Sequence, residues 1–216
     1  MTTRAKIRLK ENWINIVLTF ISIIQGLAFV NLVEYFPFSL VQMIFTGALT
    51  TGILLYFVHF LICVLILLRI TQTYISAALD YMDWDARIEY IFCIFVWGAL
   101  EYFLFSTLNF DNFDVKTFHS RLLIVNFQGL LSYMLVIIRL NKDYFKDEYK
   151  QEVKLQIINI LGVFIPLIIS ILIIFIIPVH YESVYIVLCV LISVILVYNI
   201  WNSLHVTFSE KTQSTP

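Results

Sequence analysis

The sequence predicts an all-α fold, a polytopic integral membrane helix bundle with six transmembrane helices and both termini cytoplasmic. Three observations lead there. Hydrophobic residues fill 61% of the 216 positions and charged residues only 13%, against roughly 45–50% and 25% in ordinary globular domains. Mean hydropathy is +0.90, so polar side chains are too few to coat a water-facing surface. The apolar residues come in long continuous runs without the alternation of barrel strands, and the basic residues segregate between alternate connecting segments.

A helix needs about 20 apolar residues to cross a hydrocarbon core of about 30 Å. Residues 1–12 form a basic segment with Arg4, Lys6, Arg8 and Lys10. A membrane domain over residues 13–208 follows, with runs at Trp13–Val33, Leu40–Leu68, Ile88–Thr107, Leu122–Ile138, Leu155–Ile177 and Val184–Trp201. The first run is longer than a signal-peptide core and has no small-residue cleavage site, so it reads as a retained span. Residues 209–216 are a polar tail. All of the 14 Lys and Arg residues except Lys116 and Arg121 fall on one side of this six-span frame. Since Lys and Arg resist translocation, that side is cytoplasmic. Trp13 and Trp201 at span ends suit aromatic interface anchors.

Two segments between spans read as cytoplasmic helices. In residues 70–86, Ile70, Tyr74, Ala77, Tyr81 and Trp84 recur at helical spacing, with Gln72, Ser76, Asp80 and Asp83 towards the other face. In residues 140–154, Lys142, Lys146, Lys150 and Lys154 repeat every four residues among Asp143, Asp147, Glu148 and Glu152. Local ion pairing on a solvated helix explains that pattern, and contact with a cytosolic partner or with lipid headgroups is the functional alternative.

The net charge of −1 excludes bulk attraction to nucleic acid. Cys63, Cys93 and Cys189 lie in apolar runs without C-x-x-C spacing and read as packing residues, so no metal and no cofactor is expected. No serine-nucleophile, His-Glu-x-x-His or P-loop pattern occurs, and the chain is expected not to be an enzyme.

The chemistry-bearing candidates sit inside the spans. Glu101 falls deep in the third run, where a carboxylate costs on the order of 2.5–3.5 kcal/mol and is normally turned to a partner or a cavity. Asn126 and Gln128 of the fourth run, and Gln25 on the polar stripe of the first, are the amides that could share an ion or proton site with it. His59 shares a face of the second run with Gly52, Tyr56 and Cys63 and is a candidate gate or relay. These residues point to a homo-oligomeric channel or pore subunit with an intramembrane acidic and polar site. The alternatives are a scaffold or effector controlled by a cytosolic protein through residues 70–86 and 140–154, and a proton- or ion-coupled transporter.

Overall fold

A computed structural model describes residues 3–35, 50–80, 88–139, 149–178 and 180–209. Six α-helices occupy them: α1 (Thr3–Glu34), α2 (Thr51–Asp80), α3 (Ile88–Phe105), α4 (Val115–Arg139), α5 (Tyr149–Phe175) and α6 (Glu182–Ser209). A short 3-10 turn, Phe110–Asn112, links α3 to α4. The part of the second apolar run before residue 50 lies outside the described residues, as do Lys142 and Lys146. The amphipathic stretch that begins at Ile70 is, through Asp80, the unbroken continuation of α2, and residues 149–154 are the opening turns of α5.

The helix ends follow local chemistry. Thr50 starts α2, its hydroxyl accepting the Ile53 amide at 3.3 Å. Asp114 starts α4, its carboxylate accepting both the Thr117 amide at 2.9 Å and the Thr117 hydroxyl at 2.5 Å. Both side chains satisfy amide donors that the first helical turn leaves unpaired. At the end of α5 the amides of Ile176 and Ile177 both turn back to the Leu172 carbonyl, and Pro178 follows. Arg121 of α4 reaches across to the end of α3, donating to the Phe103 carbonyl at 2.6 Å and the Ser106 hydroxyl at 2.7 Å. A cation suits a helix C-terminus, where carbonyls lack partners.

Among the described residues, the expectation of six transmembrane helices is corrected to four. Stretches long and apolar enough to cross a bilayer are Thr51–Ile75, Val115–Ile138, Val153–Phe175 and Glu182–Leu204. Among the described residues, α1 and α3 offer only the apolar stretches Leu18–Glu34 and Phe95–Phe105. At 1.5 Å per residue these rise about 26 Å and about 17 Å, short of a core of roughly 30 Å. α1 opens on Arg4, Lys6, Arg8, Lys10 and Glu11 ahead of its apolar part. α3 is an 18-residue helix that ends at Phe105, two residues before the run read from the sequence, and Thr107 and Leu108 close tighter turns onto the carbonyls of Leu104 and Phe105. The six-crossing count that placed both termini goes with this correction.

The six helices pack as a ring in the order α1, α3, α4, α5, α6, α2 and back to α1, with α2 also touching α3. The most extensive faces are α4 against α5 and α2 against α6. The Tyr56 hydroxyl near the start of α2 donates to the Leu108 carbonyl at 3.0 Å, just past the end of α3. The starts of α2, α4 and α6 therefore share one end of the bundle, where they line a common cavity.

Polarity runs opposite to that of a water-soluble domain. Large apolar side chains such as Phe29, Phe127, Val187, Val194, Tyr198 and Trp201 are exposed, while His59, Glu101, His119 and Ser170 are all at 0% exposure. Lipid tails solvate the outer surface, and polar groups find partners only inside. The chain is a small helical protein of the membrane that crosses it several times.

Candidate metal centre

Three helices that start at the same end each bring one coordinating atom to a common point. His59 lies in the third turn of α2, His119 in the second turn of α4 and Cys189 in the third turn of α6. The Nε2 atoms of His59 and His119 are 3.2 Å apart. The Cys189 Sγ closes the triangle at 3.4 Å from His59 Nε2 and 3.6 Å from His119 Nε2. All three side chains are fully buried.

The outer edge of each imidazole is also fixed. His59 Nδ1 donates to the Leu55 carbonyl at 2.7 Å, one turn earlier on α2. A carbonyl can only accept, so the proton of the neutral ring sits on Nδ1 and the Nε2 lone pair is turned into the triangle. His119 Nδ1 is 3.1 Å from the Ser170 hydroxyl of α5. With Nδ1–H donating to Ser170, the second Nε2 lone pair also faces inward. The rings of Phe113 and Phe118 stand edge-on to His59 at 4.9 Å and 4.7 Å between centroids and close the site off from its surroundings.

The dimensions suit a transition metal. Bond lengths of about 2.0–2.1 Å to nitrogen and 2.3 Å to sulfur imply tetrahedral edges of about 3.3 Å between two nitrogens and about 3.6 Å between nitrogen and sulfur. The observed triangle of 3.2, 3.4 and 3.6 Å matches this set. Imidazole and thiolate select zinc or copper over the oxygen-seeking magnesium and calcium. Nδ1 anchored to a carbonyl or hydroxyl is the usual outer support of a ligating histidine. Without a metal, the same atoms form a hydrogen-bonded chain in which Ser170 donates to His119 Nδ1 and His119 Nε2–H donates to His59 Nε2. That chain satisfies both rings, with the Cys189 thiol at 3.4 Å and 3.6 Å in reach of a weak hydrogen bond to them.

The residues singled out in the sequence fall into separate places. His59 enters the triangle. Glu101 meets Gln25 instead, whose Nε2 donates to Glu101 Oε2 at 2.8 Å, while Gln25 Oε1 accepts the Thr71 hydroxyl at 2.7 Å. This contact joins α1, α2 and α3, and Glu101 Oε1 has no partner among the described residues. Asn126 is buried and donates to the Leu122 carbonyl of its own helix at 3.0 Å. Gln128 is half-buried on α4, and Lys150 and Lys154 are exposed near the start of α5. A further buried polar contact has Arg69 of α2 donating to Asn159 of α5 and to Gln72 at 3.3 Å, with its guanidinium 6.0 Å from the centre of the Tyr133 ring.

His119, Cys189 and Ser170 were not among the sequence-derived candidates. His119 lies between Lys116 and Arg121, ahead of the apolar run that begins at Leu122, and so it read as part of a connecting loop. A usable signal existed in the depth of each group. Counted from the helix starts at this end of the bundle, two histidines and a cysteine fall within three turns of one another.

The Gln25–Glu101 contact carries a test of its own. Glu101→Gln keeps an oxygen to accept from Gln25 and is expected to leave the melting temperature close to that of the wild type. Glu101→Leu strands the Gln25 donor in the interior and is expected to cost about 1–3 kcal/mol. Thermal unfolding in detergent compares the two, and equal losses would show that the hydrogen bond has no weight.

Comparison of the chain with protein-family models, with curated proteins and with solved structures finds no match to any of them.

Proposed function

We propose that this chain is an integral membrane metalloprotein that holds one zinc-class transition-metal ion inside its helix bundle, through His59 Nε2, His119 Nε2 and Cys189 Sγ. The observation that carries this reading is the donor triangle, whose edges fit a tetrahedral ion and whose two imidazoles are oriented by Leu55 and Ser170. Three protein ligands leave the fourth vertex free, which sets the arrangement apart from a closed, four-ligand structural zinc site. The imidazoles are held by the Leu55 carbonyl and the Ser170 hydroxyl beside the Phe113 and Phe118 rings, a setting that supports holding an ion. A pore along an oligomer axis draws less support, because Glu101 lies fully buried within one chain. Lys150 and Lys154, in the opening turns of α5, lie at the end opposite the metal triangle, which supports placing the triangle towards the non-cytosolic face.

Elemental analysis of the protein purified in detergent, after equilibration with micromolar Zn²⁺ and removal of free ion, tests the reading. About one zinc per chain is expected in the wild type, with loss of that zinc in His59→Ala and in Cys189→Ser. A wild type that retains no zinc or copper overturns the proposal, and so does full metal content in both variants.

A further inference from the structure

A cavity of about 410 Å³ opens at the end of the bundle where α2, α4 and α6 begin. Its lining includes Leu55, Val115 and Tyr185, and each of these stands four residues ahead of a member of the donor triangle on the same helix, His59, His119 and Cys189 respectively. Four residues of helix rise about 6 Å, so the floor of the cavity lies roughly one turn above the coordinating atoms. Tyr56 and Phe113 also line the cavity, and the Phe113 ring rests on the His59 imidazole at 4.9 Å. Cavity and triangle are thus stacked along one axis with a single aromatic layer between them.

Resting on the metal reading above, we infer that this cavity is the loading vestibule of the site: a hydrated divalent transition-metal cation collects there and passes the Phe113 ring to reach His59, His119 and Cys189. The size is sufficient, since six waters at about 30 Å³ each occupy about 180 Å³. The charge is of the right sign. Asp114 and Glu182 line the vestibule with Lys116, leaving one net negative charge. Asp114 stays ionised, because the hydroxyl and amide of Thr117 hold its carboxyl below the usual carboxylate range. A cleft with a net negative charge between low-dielectric walls concentrates cations at its mouth. Glu101, Gln25 and Thr71, and Arg69 with Asn159 and Gln72, do not line this cavity.

The experiment follows Co²⁺ uptake by stopped flow through the near-ultraviolet thiolate-to-cobalt band, and release by adding a chelator. Gly52→Trp inserts a cork. Gly52 lines the vestibule, and a Cβ there meets only the Thr50 hydroxyl at 4.0 Å, so the helix accepts the side chain. Uptake and release are both expected to slow by about tenfold or more at unchanged affinity. Asp114→Asn with Glu182→Gln removes the negative charge while asparagine keeps the cap on α4. Uptake is then expected to slow by about tenfold at low ionic strength, with release unchanged and the difference erased by salt. No cobalt–thiolate band in the wild type overturns the metal reading itself. A wild-type band together with wild-type rates in either variant overturns the loading route and leaves the metal reading standing.

Discussion

Alanine in place of His119 is expected to weaken Zn²⁺ binding by a factor of about a hundred to a thousand, measured by competition with a chromophoric chelator. Four-ligand structural zinc sites yield about 10–16 kcal/mol in all, close to 3 kcal/mol for each ligand, and about 1.4 kcal/mol is a factor of ten. Cys189→Ser is expected to fall in the same range, because a hydroxyl neither ionises nor binds zinc as a thiolate does. Ser170→Ala keeps all three ligands and removes only the hydroxyl 3.1 Å from His119 Nδ1, so its loss is expected to be about tenfold to a hundredfold. The ordering is what discriminates. A triangle that acts as a coordination sphere places His119→Ala and Cys189→Ser together, well below Ser170→Ala. A Cys189→Ser protein that binds as tightly as the wild type would show that the sulfur is a bystander to a hydrogen-bonded histidine pair. Linked stability gives a second readout. With free Zn²⁺ at a hundred times its dissociation constant the wild type gains about 2.7 kcal/mol, and this gain should vanish in His119→Ala.

Much of the fold was legible because it rests on hydrophobic runs and charge segregation, which a linear reading captures. The apolar stretches of α2, α4, α5 and α6 overlap the runs read from the sequence closely enough to identify them as spans. The count came down to four because the described apolar stretches of α1 and α3 are Leu18–Glu34 and Phe95–Phe105. The end of α3 at Phe105, two residues inside the third run, is a turn that hydropathy does not register. The start of α4 failed in the opposite sense. Asp114 caps the helix well before the apolar run begins, so Lys116, His119 and Arg121 are helical although they read as loop. That one displacement concealed the site. His59 was visible because it interrupts an apolar run, whereas Cys189 is itself apolar enough to vanish into one. Their meeting is a tertiary event set by the packing of α2 against α6 and of α4 against α5. Glu101 was legible as a buried acid for the same reason as His59, but no periodicity could say that its partner would be Gln25 rather than the amides of the fourth run.

The reach of Ser170 to His119 beside the donor triangle follows from how α5 packs against α6, and Gly162 is a point of close approach between the two helices. A Cβ built on Gly162 would run into the side-chain amide of Asn199 on α6, and Asn199 is itself held by donating Nδ2 to the Ile158 carbonyl at 3.0 Å. Asn199 is buried, so it has no open space into which to swing. Gly162→Ala therefore forces either the loss of the Asn199 bond or a separation of the two helices. The expected loss of stability is about 2–4 kcal/mol, from a stranded amide donor together with local overpacking. Separation would also disturb function, because Ser170 lies two turns further along α5 and Cys189 lies on α6, and both must reach His119. A double-mutant cycle isolates the cause. Asn199→Ala alone is expected to cost about 1 kcal/mol for the lost hydrogen bond, since the Ile158 carbonyl keeps its helical partner. Adding Gly162→Ala to it should then cost little more, because the methyl group occupies the space that the amide has left. Strict additivity of the two losses would place the strain somewhere other than the Gly162–Asn199 contact. Coupled losses, together with weakened Zn²⁺ binding in Gly162→Ala that Gly162→Ala/Asn199→Ala recovers, would show that a glycine about two turns away fixes the spacing on which the coordinating atoms depend.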